Sequence, residues 1–274
     1  MLKFRVLTSI IGLPILAAGF LLGGIPFASV IFAVCIIALY EFYRTFEKAG
    51  FTPLKMIGYL CCIPVLAVGI LKINTLNTIT PLVLNLMILF FILLIIISFL
   101  IILFRKDRYS FDSLAITFAA VLYIPFMFLF TLFVRNMPNG AYFIWFIFIG
   151  AWATDTFAYF IGRKFGKHKL IPEVSPNKTV EGSVAGLAAA ILFTVVFGCL
   201  FFHTGMIYIV HYSVIGVISG IFSQLGDLTA SSIKRFTRVK DYGNILPGHG
   251  GIMDRFDSIL FIAPLIYFYL CVFF

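Results

Sequence analysis

The sequence predicts an all-α integral membrane protein, a polytopic helical bundle of about nine transmembrane helices with its N-terminus in the cytoplasm. Three observations carry that prediction. Of 274 residues, 62% are hydrophobic and 11% are charged, against about 45–50% and 25% in ordinary soluble domains. The apolar residues fall in long unbroken runs rather than in the period-two alternation of a porin-type barrel, and mean hydropathy is +1.11. The basic residues gather in alternate loops between those runs. A soluble enzyme, a coiled coil and a disordered chain are all excluded.

A bilayer core of about 30 Å needs roughly 20 apolar residues per helix. Runs bounded by Pro, Gly and charge place spans near 6–23, 25–43, 56–71, 80–104, 111–134, 140–162, 182–202, 206–230 and 257–273. The start, Met1-Leu2-Lys3-Phe4-Arg5, imitates a signal peptide; further spans follow at once, so the first run reads as a retained anchor. With the N-terminus inside, the cytoplasmic segments carry every basic residue of the 20 except Lys72 and Arg135, as the positive-inside rule requires. The net charge of +9 therefore sets orientation, and a nucleic-acid partner is not expected. Cys35, Cys61, Cys62, Cys199 and Cys271 lie in or beside apolar runs without zinc spacing and read as small packing residues. The Gly182/Gly186 and Gly216/Gly220 pairs read as sites of close helix approach.

Residues 1–140 are expected to form a scaffold of membrane helices giving lipid access. Residues 141–274 are expected to carry the catalytic site, because both long polar loops, 163–181 and 231–257, lie there. Asp155 and Asp227 sit well inside predicted spans, about 22 and 30 Å from the outer ends at 1.5 Å per residue. Ionisable groups at such depth are functional candidates, the alternative being a structural pair with a loop Arg or Lys. Asp254 and Asp257 open the last span at i and i+3, on one helix face. At about 6 Å and an effective dielectric near 20, they repel by about 3 kcal/mol. A divalent cation is an economical counter-charge, since oxygen-only sites suit Mg²⁺; stabilisation by the helix N-terminus explains one Asp better than two.

Before them stands Pro247-Gly248-His249-Gly250-Gly251, whose glycines permit close backbone approach and N–H donors aimed at an anion. Lys234, Arg235, Lys240 and Asp241 lie upstream. Cations, N–H donors and carboxylates in this order suit phosphoryl or nucleotidyl transfer. In the other loop, Ser175-Pro176-Asn177-Lys178-Thr179-Val180-Glu181-Gly182 reads as a helix start, with Ser175 as N-cap and Pro176 at the first helical position. That would put Lys178 and Thr179 in a first turn that favours a phosphate. Glu41 and Asp112 read as interfacial and structural.

The stretch Ser231-Ser232-Ile233-Lys234-Arg235, four residues, then Lys240 through Asp257 resembles the signature of the phosphatidate cytidylyltransferase (CDP-diacylglycerol synthase) family at every fixed position. The 175–182 segment, Gly226-Asp227 and Asp155 to Arg163 also resemble that family, so the likeness is dense in the C-terminal half. It implies the reaction CTP + phosphatidate → CDP-diacylglycerol + pyrophosphate, dependent on Mg²⁺, at the cytoplasmic face of a multi-pass protein of the cell's inner (plasma) membrane, and suggests a homodimer. On that resemblance Asp227, Asp254 and Asp257 hold one or two cations; Asp155 is open between a cation ligand and a partner of the basic residues. Lys234, Arg235, Lys240 and Arg255 neutralise the phosphates, with Asp241 and His249 among the catalytic candidates. His249 donates to a phosphate or pins the glycine loop rather than acting as a base. Substrate binding is expected at Ser175, Asn177, Lys178, Thr179, Glu181, Gly248, Gly250 and Gly251.

The nearest alternative is a CTP-dependent polyprenol or phytol kinase, which shares the acidic and glycine-rich theme but not the full run from Lys240 to Asp257. The CDP-alcohol phosphotransferases are set aside because this chain lacks both the leading Asp-Gly and the closing Gly-x-x-x-Asp-x-x-x-Asp of their hallmark. An ion-coupled transporter is a remote alternative: no repeated halves are visible, and the polar groups crowd one edge rather than the midplane.

Overall fold

The computed structural model describes residue 14 and residues 17–73, 81–245 and 250–274. The chain divides into two compact units, Met1–Pro138 with Thr237–Asp254, and Asn139–Phe236 with Arg255–Phe274. Among the described residues, seven helices are long and apolar enough to cross a membrane, and the protein is an all-α polytopic membrane protein.

In the first unit, residues 17–22 are helical, and most of the expected 6–23 span lies outside the described residues. Helix α1 runs Gly24–Lys48. The 56–71 run forms two short helices, α2 (Lys55–Leu60) and α3 (Ile63–Ile70). The break falls at Cys61–Cys62, just before Pro64, whose ring cannot donate to the carbonyl four residues back. Together Lys55–Ile70 cover about 24 Å at 1.5 Å per residue. Helix α4 (Pro81–Phe104) is apolar on every side, with Leu86 56% and Phe99 50% exposed. Such a helix belongs in lipid or in a large core.

Helices α5 (Phe111–Val121) and α6 (Met127–Asn136) are joined by a π-helical turn, Leu122–Phe126, that contains Pro125. The wider turn accommodates the missing N–H without ending the span. At its far end Arg135 donates from Nη2 to the Leu21 carbonyl at 2.8 Å and from Nε to that of Phe20. Asn136 Nδ2 donates to the carbonyls of Ile73, at 2.9 Å, and Val68. The carbonyls of Phe20, Leu21 and Val68 lie in last helical turns, where no partner is available within the helix, and Ile73 follows the end of α3.

The second unit is built from α7 (Gly140–Phe165), a two-stranded hairpin, α8 (Val180–Phe201) and α9 (Met206–Phe236). The last helix, α10 (Met253–Phe273), belongs to it from Arg255 onward. The helices approach through small residues. A Cβ on Gly182 would lie 2.6 Å from the Ala158 carbonyl, and one on Gly186 would lie 2.8 Å from that of Thr154. A Cβ on Gly216 would lie 2.5 Å from the Ile191 Cα. Both glycine pairs are thus packing sites, as their spacing predicts. One end of the unit is an aromatic stack of Phe143, Phe146, Phe202 and Tyr212.

The expected helix start at Ser175-Pro176 is not observed. Residues Ser175–Thr179 form strand β2, antiparallel to β1 (Lys169–Ile171), with Lys169 opposite Thr179 and Ile171 opposite Ser175. The N-cap is Thr179, four residues later, whose Oγ1 accepts the Gly182 N–H at 3.2 Å. A Ser-Pro pair suits a strand at a sheet edge as well as a helix start, because Pro there loses no ladder bond. Pairing with β1 decided between the two.

Candidate active site

Three helices bring carboxylates together in the second unit. Asp227 lies about 32 Å along α9 at 1.5 Å per residue. Asp155 lies on α7 and Asp257 in the second turn of α10. Gly226 makes this meeting close: a Cβ there would stand 2.6 Å from the Asp257 carbonyl oxygen. Asp227 is within electrostatic range of both Asp155 and Asp257, and Asp155 and Asp257 are within range of each other. Asp257 is 6% exposed, and its Oδ1 accepts the Ser258 N–H at 2.7 Å.

Cations come from separate elements. Lys178 reaches from β2 to Asp227, with Nζ 2.7 Å from Oδ2, and its charge also acts on Asp155. Lys234, near the end of α9, acts on Asp257, and Arg255 acts on Asp155. Ser223 Oγ donates to Asp155 Oδ1 and Ser231 Oγ to Asp227 Oδ1, each at 3.4 Å. Among the described residues, no three His, Cys, Asp or Glu side chains are disposed to hold a metal ion by themselves.

The hairpin loop is tied to the helices. Glu181 accepts the N–H of Lys167 at 3.1 Å and that of His168 at 3.2 Å, and pairs with His168 Nδ1 at 2.6 Å. Arg235 Nε donates to the Val174 carbonyl at 3.1 Å. Thr179 is 6% exposed and committed to its capping bond, whereas Asn177 is exposed and Ser175 half-buried on the strand. Only Lys178, of the expected binders in this loop, reaches a carboxylate of the cluster by an ion pair among the described residues.

In the first unit, Asp254 Oδ2 accepts the N–H groups of Tyr242 at 3.0 Å and Gly251 at 3.1 Å. Gly250 turns beside it with φ +86°, a left-handed conformation suited to Gly. Lys240 and Asp241 are exposed. Gly248 and His249 lie outside the described residues. Sequence reasoning did not single out Ser223, and it named Ser231 only within the family-like stretch. Glu41, read as interfacial and structural, is buried and accepts the Met253 N–H.

Acids and bases converging from several helices of a membrane bundle suit an enzyme that transfers phosphate esters. The particular family follows from comparison with known proteins. The pattern of the Cytidylyltransferase family matches residues 3–273, and the chain belongs to that family. It is 34% identical to a phosphatidate cytidylyltransferase of Bacillus subtilis (strain 168), over 99% of this chain and 98% of that one. It is 36% identical to the protein of that name from Staphylococcus haemolyticus (strain JCSC1435) and 35% identical to that of Staphylococcus aureus (strain COL), covering 97% of each chain. The protein is a nucleotidyltransferase of the membrane.

Proposed function

We propose that this enzyme converts CTP and phosphatidate to CDP-diacylglycerol and pyrophosphate, with the site on the cytoplasmic side of the inner membrane. The observation that carries the substrate pair is the near full-length likeness to relatives bearing that name. The basic loops support that side of the membrane, since they alternate with the spans when nine helices start from a cytoplasmic N-terminus. A lipid phosphate enters from the inner leaflet and CTP from the cytosol, so both substrates reach the same depth. Assembly as a homodimer belongs to the same reading, and cross-linking in native membranes tests it.

The donors suit a hard divalent cation. Mg²⁺ is commonly held by one or two carboxylates, with waters and substrate phosphates completing its shell, so the lack of a three-ligand protein cage is no obstacle. Asp227 and Asp257 would hold it, with Asp155 beside them and Asp254 one turn earlier on α10; a second cation would draw on the same acids. When bound, the ion neutralises charge building on the leaving pyrophosphate. Lys178 exchanges its bond to Asp227 for a substrate phosphate. Lys234, Arg235, Lys240 and Arg255 neutralise the remaining phosphate charge. The Gly250–Gly251 turn holds Asp254, whose Oδ2 accepts the Gly251 N–H, and the Glu181 contacts keep the hairpin in register.

The phosphatidate oxygen attacks the α-phosphorus of CTP in line, a new P–O bond forms, and the bond to the β-phosphate oxygen breaks. A phosphate monoester is largely ionised at pH 7, so no strong base is needed. The test is transfer of label from α-³²P-CTP into lipid by purified protein with phosphatidate and Mg²⁺. Label in the lipid, lost with Asp254→Asn and with EDTA, supports the reading. Transfer of γ label to a polyprenol instead would make the protein a lipid kinase.

A further inference from the structure

Glu41 is 1% exposed on α1, in a stretch where Phe42, Tyr43 and Phe46 are also buried. Its Oε2 accepts the N–H of Met253 at 2.9 Å, across 212 residues of chain, and the Ile252 N–H is bonded to it as well. These are N–H groups at the start of α10, which have no carbonyl of their own helix to bond. The same carboxylate has shaped the loop around it. A Cβ on Gly251 would lie 2.5 Å from Oε2, and a Cβ on Gly243 would collide with Oε1. One turn on, Thr45 Oγ1 donates to the Glu41 carbonyl at 2.9 Å and contacts the Tyr242 carbonyl at 3.4 Å. Phe42 stacks on the Tyr242 ring with centroids 6.2 Å apart. Tyr242 and Gly251 in turn donate their N–H groups to Asp254.

We propose that Glu41 is a positioning residue for the transfer reaction: its carboxylate clamps Gly243, Gly251 and the first N–H groups of the last helix, and so fixes the direction of the Asp254 carboxylate. The chain of contacts has one link on each side of Asp254. Glu41 holds Met253 from below, and the two N–H donors that grip Asp254 belong to residues packed against Glu41 or its helix. A burial of this cost serves a buried backbone terminus that would otherwise lack an acceptor. The two glycines follow from the carboxylate, since any side chain at either position would displace it. This inference rests on the assignment of Asp254 to the reaction site.

The test uses purified full-length enzyme with Glu41→Leu, Glu41→Gln and, in parallel, Asp254→Asn. Rates are expressed per folded molecule, and hydrogen exchange is followed at residues 250–254. For Glu41→Leu, which keeps bulk but offers no acceptor, kcat falls by about 10²-fold, the loss typical of a misplaced catalytic group, while KM for phosphatidate stays within about threefold. Exchange at 250–254 quickens while α8 is unchanged. Glu41→Gln, whose amide oxygen can still accept the Met253 N–H, recovers kcat to within about tenfold of wild type. Wild-type kcat in Glu41→Leu, equal loss in Leu and Gln variants, or unchanged exchange at 250–254 would each overturn the proposal. Wild-type activity in Asp254→Asn would instead remove the underlying site assignment, so the two failures are distinct.

Discussion

Replacing Lys178 by Met removes the cation that faces Asp227 and tests both the resting arrangement and the transfer step. At 2.7 Å and an effective dielectric near 20, the bare attraction is about 6 kcal/mol. Much of that is cancelled by desolvation, because the side chains remain 24% and 32% exposed. Exposed pairs are worth less than about 1 kcal/mol, and breaking a buried pair costs about 3–5. A partly buried pair beside two further carboxylates should lie between, so Lys178→Met lowers unfolding stability by about 1–3 kcal/mol. The double variant with Asp227→Asn recovers most of that loss, because no unpaired acid is left at that point; the mutant cycle therefore shows clear coupling. Activity behaves differently. Losing a cation that meets a phosphate in the transition state costs about 10²–10³ in kcat/KM, and the double variant does not regain it. The assays are thermal unfolding in detergent and transfer of α-³²P label into lipid. Additive stability losses would refute the pair. Activity above about one third of wild type in Lys178→Met would refute its contact with a phosphate.

Three further outcomes are expected. Asp257→Asn raises the Mg²⁺ concentration needed for half-maximal rate by about tenfold or more, and EDTA abolishes label transfer in the wild type, as the loss of a carboxylate ligand requires; a Mg²⁺ titration reads both. Gly226→Ala forces α9 and α10 apart, since the new Cβ would meet the Asp257 carbonyl at 2.6 Å. Overpacking of that kind costs about 1–3 kcal/mol, visible in the thermal midpoint, and label transfer should fall with it. Thr179→Val removes the cap of α8 at a cost of about 1 kcal/mol, while the rate per folded molecule stays near wild type because Thr179 faces the protein interior.

Several residues of the candidate site drew notice from the sequence alone. Asp155 and Asp227 stood out as acids in apolar runs, and Asp254 and Asp257 as a like-charged pair on one turn. A pair between Asp227 and a loop Arg or Lys was among the readings of the sequence and is observed with Lys178, but which cation supplies it was not legible, because β2 and α9 are separated by the whole of α8. The hairpin was missed for a physical reason: Ser-Pro stabilises a helix start and an edge strand through the same missing N–H, and only pairing with Lys169–Ile171 chose the strand. Glu41 looked like an interfacial acid because its partners, Ile252 and Met253, lie more than 200 residues away.

What the sequence alone determined was the solvent: runs of about 20 apolar residues must span a bilayer. It also determined the helical class, since backbone groups in lipid must be satisfied within a helix or a closed barrel. The run of charged and glycine residues from Lys234 to Asp257 further carried the family likeness, because it is local in the chain. Tertiary structure alone decided which acid meets which cation, why Gly226, Gly243 and Gly251 have no side chains, and how α10 is held at its first turn. Each of those depends on backbones distant in sequence coming within a few ångströms, and no local pattern encodes that distance.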